Sequence, residues 1–232
     1  MVQTRRTTMA ADDFSCRPYV LFDFDGTLAN TRPGIVSTAR EVLSAWGMSE
    51  EEMGDLGRLV GPPFPAAFTQ VYGMSEDEAR EVAGRYRARY RELGPETHPL
   101  FDGLAELLES LRASGRHLAV TTSKMRDTAV RFLQDDGVYE LFDEVVGQVD
   151  PARADKAHLV EDSLAAFGCT ADEAVMVGDR FYDVEGALAN GVPCVGVYYG
   201  DTAPAGELER AGAAACARTV AELGRILMGE GA

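Results

Sequence analysis

The run Tyr19-Val20-Leu21-Phe22, closed at once by Asp23-Phe24-Asp25-Gly26-Thr27, constrains this chain more than any other stretch. Consecutive apolar residues leave no polar face, so the segment reads as a parallel strand buried on both sides. Its carboxylates fall at the C-terminal end, where open parallel sheets carry their sites. Side chains alternate along an extended chain, so Asp23 and Asp25 are expected to point the same way, with Phe24 opposite. Two carboxylates that close repel unless a cation lies between them or one holds a proton. Magnesium, which prefers oxygen ligands, suits such a pair. Gly26 lets the chain turn and approach a ligand closely.

The rest of the sequence says what surrounds that strand. From Pro33 to about Leu93 the pattern is helical: Ile35, Ala39, Val42, Leu43 and Trp46 form one stripe with Gly47 as its stop. Ser75 with Glu78 three residues on is a capping-box start, and Gly61-Pro62-Pro63 breaks the region. After His98-Pro99, helices are expected over 104–114, 126–135, 156–167 and 184–190 and strands over 118–122, 144–146, 174–177 and 194–197. Such alternation predicts an α/β fold, a doubly wound parallel sheet with a Rossmann-like core and an inserted α-helical cap domain. The expected division is a disordered tail over 1–17, a core over 18–30 and 98–232, and the cap over 31–97. Met9 is a second candidate start.

Bulk properties narrow the function. The 232 residues carry a formal net charge of -16, which argues against nucleic acid and anionic membrane as main partners. A small anionic substrate needs positive charge concentrated in its pocket. Cys16, Cys169, Cys194 and Cys216 are scattered, which speaks against a zinc site or disulfide framework and for a reducing, cytoplasmic setting. No apolar run approaches the roughly 18 residues of a membrane span. Of the 22 basic residues only Lys124 and Lys156 are lysines. A compact ammonium on a flexible stem suits a moving phosphoryl group.

Asp23 to Thr27 resembles the first motif of the haloacid dehalogenase superfamily of phosphatases. The resemblance implies that Asp23 attacks phosphorus and that Asp25 first protonates the leaving oxygen and then activates water. Thr122, with Ser123 beside it, resembles the second motif and Lys156 the third. Gly178-Asp179-Arg180-Phe181-Tyr182-Asp183 resembles the fourth. By the same resemblance Asp23, Asp25 (through its backbone carbonyl), Asp179 and Asp183 hold magnesium. Gly26, Thr27, Thr122, Ser123, Lys124 and Lys156 face the phosphate, with Lys124 at the pocket rim, and Arg58 and the Gly61 turn reach in from the cap. The arginines Arg85, Arg87, Arg89 and Arg91 are expected on a solvated helix face.

Asp23 to Ile35, Gly61-Pro62-Pro63 and Gly178 to Ala187 are most similar to the phosphoglycolate phosphatase-like branch. Ala157 after Lys156 and the run Arg153-Ala154-Asp155-Lys156 instead resemble 5'-nucleotidase-type relatives. A β-phosphoglucomutase-like mutase is a further alternative, and a phospho-aspartate receiver a reading of a different class. The absence of lysine between Asp25 and Lys124 argues against Schiff-base phosphonoacetaldehyde hydrolysis. The implied partner is a small phosphorylated metabolite, and the implied assembly a monomer or homodimer.

Overall fold

The computed structural model describes residues 13–150 and 153–229. Six strands form one sheet: β1 (Tyr19–Phe22), β2 (His117–Met125), β3 (Glu144–Gln148), β4 (Ala174–Gly178), β5 (Cys194–Val197) and β6 (Ala215–Ala217). Their order is β3-β2-β1-β4-β5-β6 and every pairing is parallel. The order reverses beside β1, so the crevice beyond its C-terminal end is the topological switch point of the sheet. Val20, Leu21 and Phe22 are fully buried, as a strand covered on both faces requires.

Ten α-helices lie among the described residues. Between β1 and β2 lie α1 (Arg32–Trp46), α2 (Glu50–Met53), α3 (Ala66–Tyr72), α4 (Glu76–Tyr90) and α5 (Leu104–Ala113). Beyond β2 follow α6 (Arg126–Asp135), α7 (Lys156–Phe167), α8 (Phe181–Ala189), α9 (Glu207–Ala211) and α10 (Val220–Met228). The α1 stripe is buried at Ile35, Ala39, Val42 and Leu43, and Gly47 ends the helix in the left-handed region. Ser75 and Glu78 close the reciprocal capping box on α4. One apolar cluster runs from Phe22 and Phe132 beside the sheet to Phe68 and Tyr86 in the α1–α4 region.

Three local readings differ from the sequence. The first strand ends at Phe22, and Asp25 lies in the turn beyond it, bridged to Ala29. Helix α8 starts at Phe181 rather than 184, because the Asp183 carboxylate accepts from the Arg180 amide and organises the first turn. The disordered tail expected over 1–17 is overturned for Asp13–Arg17, residues 1–12 lying outside the described residues. Phe14 is buried in a short 3-10 turn. Arg116 donates to the Ser15 carbonyl at 2.8 Å, and Arg17 donates to the Ala174 carbonyl at 2.9 Å. No described helix is long and apolar enough to cross a membrane.

Candidate active site

The chemistry-bearing residues gather beyond the ends of β1, β2 and β4 and in the first turns of α7 and α8. Asp23 follows β1, and its amide donates to the Val177 carbonyl of β4 at 2.9 Å. Asp179 follows β4, and Asp183 lies in the first turn of α8. One oxygen from each of these three buried carboxylates falls within 4.8 Å of the others. Lys156 opens α7, a place where the helix dipole disfavours a cation. The surrounding carboxylates offset that cost: its Nζ lies 2.7 Å from Asp23 Oδ1 and 2.8 Å from Asp183 Oδ1. It also donates to the Thr121 carbonyl at 2.9 Å. The close packing of α8 on Lys156 requires glycine at 186, where a Cβ would meet the lysine Cβ at 2.7 Å.

One ammonium does not balance three carboxylates. Burial pushes the Asp23 carboxyl up to about 6; Lys156 pulls it back, and Asp183 and Asp25 push it further up. Asp179 is raised well above the usual carboxylate range, by burial first and then by Asp183 and Asp23. Burial alone would lower Lys156, but Asp183 and Asp23 outweigh it and hold the ammonium above its ordinary range. With all three carboxylates ionised, as around a bound cation, and one ammonium, the cluster carries two negative charges in excess, the charge of one divalent cation. Asp183 Oδ1, though close to Lys156, has no aligned hydrogen-bond donor. An all-oxygen, buried, net-negative set with an unsatisfied lone pair fits magnesium.

The second carboxylate has a partner of its own. Asp25 lines the cavity, but its carboxylate stays out of the three-acid cluster and pairs with Lys124, Nζ to Oδ1, at 2.9 Å. Each carboxylate of the Asp23-Phe24-Asp25 pair therefore has a lysine of its own, rather than sharing one cation between them. Lys124 does not stand at the rim. Its side chain is only 7% exposed, set among the rings of Phe24, Tyr90 and Phe132, with Nζ 3.3 Å from the Tyr90 hydroxyl. A shift in the β2–β3 register between Thr122 and Met125 accompanies this arrangement, and Thr122, Ser123 and Lys124 all line the cavity.

Gly26 and Thr27 do not line the cavity. Thr27 Oγ1 donates to Asp179 Oδ1 at 3.3 Å, and the Thr202 hydroxyl holds the other oxygen of the same carboxylate. Gly26 sits at φ 82°, and a Cβ there would fall 2.2 Å from Asp179 Oδ2. Both residues lie against the Asp179 carboxylate.

A cavity of about 280 Å³ opens over this cluster, closed on the far side by the helical region. Its helical wall includes Ile35, Leu59, Phe64, Tyr86, Arg87 and Tyr90, and the Gly61-Pro62-Pro63 turn lines it. Arg58 does not reach it: that side chain is exposed, donates to its own turn at the Asp55 carbonyl, and lies over Tyr72. The sequence reading missed Tyr86, Arg87, Tyr90 and Arg180. Both tyrosines recur four apart on α4, a buried-stripe signal that the interleaved arginines obscured. Arg180 ties the two walls together, donating to the Val60 carbonyl at 2.9 Å and to Glu207 at 2.9 Å. Among the histidines, His98 stacks on Phe132 in the core.

Comparison with known proteins agrees with this geometry. Residues 20–197 match the family model described as haloacid dehalogenase-like hydrolase. A 5'-nucleotidase of Pseudomonas aeruginosa is 37% identical, over 79% of this chain and 83% of its own. Tyrosine-protein kinase PtkA of Mycobacterium tuberculosis is 40% identical over 78% of this chain and 62% of its own. A phosphoglycolate phosphatase of Agrobacterium fabrum is 30% identical over 83% and 85%. The crystal structure of a predicted phosphatase from Clostridium acetobutylicum superposes with a TM-score of 0.84, at 34% identity over 89% of this chain and 96% of that one. With four motifs brought to one sheet edge and most of the chain matched, this protein belongs to the haloacid dehalogenase-like hydrolase family.

Proposed function

We propose that this chain is a magnesium-dependent phosphatase that hydrolyses a small phosphomonoester through an aspartyl phosphate on Asp23. The observation that carries the reading is the buried group of Asp23, Asp179, Asp183 and Lys156 at the floor of a cavity. In it, Asp23, Asp179 and Asp183 would hold magnesium, which neutralises phosphoryl charge when bound. Lys156 and the Thr122 hydroxyl hold phosphoryl oxygens, since phosphoryl transfer depends on positioning and charge neutralisation more than on bond chemistry. A carboxylate oxygen of Asp23 forms a bond to phosphorus as the ester oxygen departs. Asp25, released from Lys124 and protonated from solvent before the step, gives that oxygen its proton and is left as the carboxylate. Asp25 then takes a proton from the water that attacks phosphorus, releasing phosphate and restoring Asp23.

The helices over 31–97 act as the cap that excludes water and selects the ester. The substrate proposed is phosphoglycolate-like. A 5'-nucleotidase-type specificity is the second reading, favoured by the Phe64, Tyr86 and Tyr90 rings of the helical wall. A cytoplasmic monomer or homodimer completes the proposal. The test is phosphate release from a panel of phosphomonoesters, with magnesium and with excess chelator. Turnover with magnesium that vanishes with chelator is expected; full activity in chelator overturns the metal assignment, and no release from any ester overturns the phosphatase.

A further inference from the structure

Helix α4 ends in an arginine-rich turn whose members have separate fates. Arg85 pairs with Glu81 at 2.6 Å and lies over the Trp46 ring. Arg89 pairs with Glu41 at 2.8 Å and with Glu92 at 2.9 Å. Arg91 is exposed. Arg87 alone turns inward, half-buried, to line the cavity. One of its nitrogens donates to the Phe64 carbonyl at 2.9 Å, and among the described residues no carboxylate pairs with it.

The other cations that line the cavity are already balanced. Lys156 has Asp23 and Asp183, Lys124 has Asp25, and Arg180 has Glu207. Arg87 stands against the rings and aliphatic side chains of the helical wall, where charge is poorly screened. A guanidinium cannot discharge by losing a proton. Burial lowers its proton affinity, and the neighbouring Arg91 lowers it further, so the group is held in an environment that favours an incoming anion. Its remaining N–H groups form a fork suited to a carboxylate or a phosphate. In a chain of net charge -16, this is local positive charge on the helical wall of the same cavity that Lys156 lines.

Building on the phosphatase reading, we propose that Arg87 is a specificity-determining residue: it binds a second anionic group, carboxylate or phosphate, carried on the leaving-group side of the ester. The substrate is then anionic at both ends, with Lys156 at one and Arg87 at the other. An ester whose leaving group is uncharged leaves the guanidinium unpaired.

The experiment compares 2-phosphoglycolate, propane-1,3-diol bisphosphate and ethyl phosphate, with magnesium, on the wild type, Arg87→Gln and Arg87→Lys. In the wild type kcat/KM favours at least one doubly anionic ester over ethyl phosphate, and whichever it is names the second anion. In Arg87→Gln that preference falls about 30-fold, the scale of a charge-assisted hydrogen bond, and the loss lies mainly in KM. Arg87→Lys keeps part of it, because the charge remains and the fork does not. An unchanged preference in Arg87→Gln, or a wild type with none, overturns the proposal. If Arg87→Gln does not fold, Arg87→Lys decides: a preference equal to wild type overturns it and a reduced one supports it. Binding isotherms of the same three esters to Asp23→Asn, with and without Arg87→Gln, need no turnover. If no ester is hydrolysed, the phosphatase reading falls, while the isotherms still support or overturn the role of Arg87.

Discussion

The two walls of the cavity are built on opposite plans. On the sheet side, charge is held by partners from several elements: Lys156 touches Asp23 after β1, Thr121 on β2 and Asp183 on α8. On the helical side, rings lean on rings, Phe64 on Phe68 and Tyr86, Tyr86 on Tyr90, and one arginine stands among them. A buried charge tolerates few arrangements, because each lost partner leaves an uncompensated group. Apolar side chains can be exchanged with modest cost when volume is kept. The difference teaches which wall performs chemistry and which one selects.

That contrast can be broken or sharpened by substitution. The largest effect is expected from Asp23→Asn, nearly isosteric and unable to attack phosphorus. Turnover should fall below about a hundredth of wild type with the fold intact by circular dichroism, a loss above roughly 2.7 kcal/mol. Higher residual activity would mean that Asp23 is not the nucleophile.

Lys156→Ala should cost about 3 kcal/mol or more in transition-state stabilisation, as removal of a preorganised donor does, with little rescue by arginine. Lys124→Ala should lose less in kcat. Steady-state kinetics on both decide it, and the reverse order would exchange the roles of the two lysines.

Acid should weaken magnesium binding. The metal-free Asp23 carboxyl is pushed up to about 6, and below that pH it is increasingly protonated and a poor ligand. Activity at limiting magnesium should therefore drop as pH falls through about 6 and be recovered by excess magnesium. A midpoint that ignores magnesium concentration would sink this assignment.

Arg180→Ala should be milder. It removes the donor to the Val60 carbonyl and leaves Glu207 with the Phe181 amide but no cation, both partly buried. A stability loss of about 2 kcal/mol by denaturant titration is expected, together with a raised KM. The smallest effect belongs to Arg58→Ala: an exposed side chain should change stability by no more than about 0.5 kcal/mol and leave ester preference unaltered. A changed preference would return Arg58 to the cavity.

The sheet-side wall was legible because its signals are local. An apolar run ending in Asp23-Phe24-Asp25-Gly26 can be read without knowing what packs beside it, and α6 and α7 begin and end where the pattern places them. What escaped the reading depends on contacts distant in sequence. Asp25 belongs with Lys124 and not with the three-acid cluster, since the turn after Phe22 carries it out of the strand register. Thr27 serves Asp179, a relation spanning 152 positions. The α4 arginines look alike in sequence, and which face of the helix packs, the one with Tyr86 and Tyr90, decides that Arg87 rather than Arg85 faces inward. Strand β6, three residues reading Ala-Cys-Ala, is too short and too small in side chain to announce itself.

The lysine count gives this protein a chemical reporter. Apart from its amino terminus, every primary amine in the chain belongs to Lys124 or Lys156, and their side chains are 7% and 6% exposed in the cavity wall. Reagents that acylate amines therefore have no surface lysines to consume them. The rate at which the two react would depend on how far reagent reaches the cavity wall and on how firmly each carboxylate partner holds its ammonium, and a bound ester that covers the cavity should slow it. Mass spectrometry of the acylated chain would follow that protection one lysine at a time, with no label added to the protein beforehand.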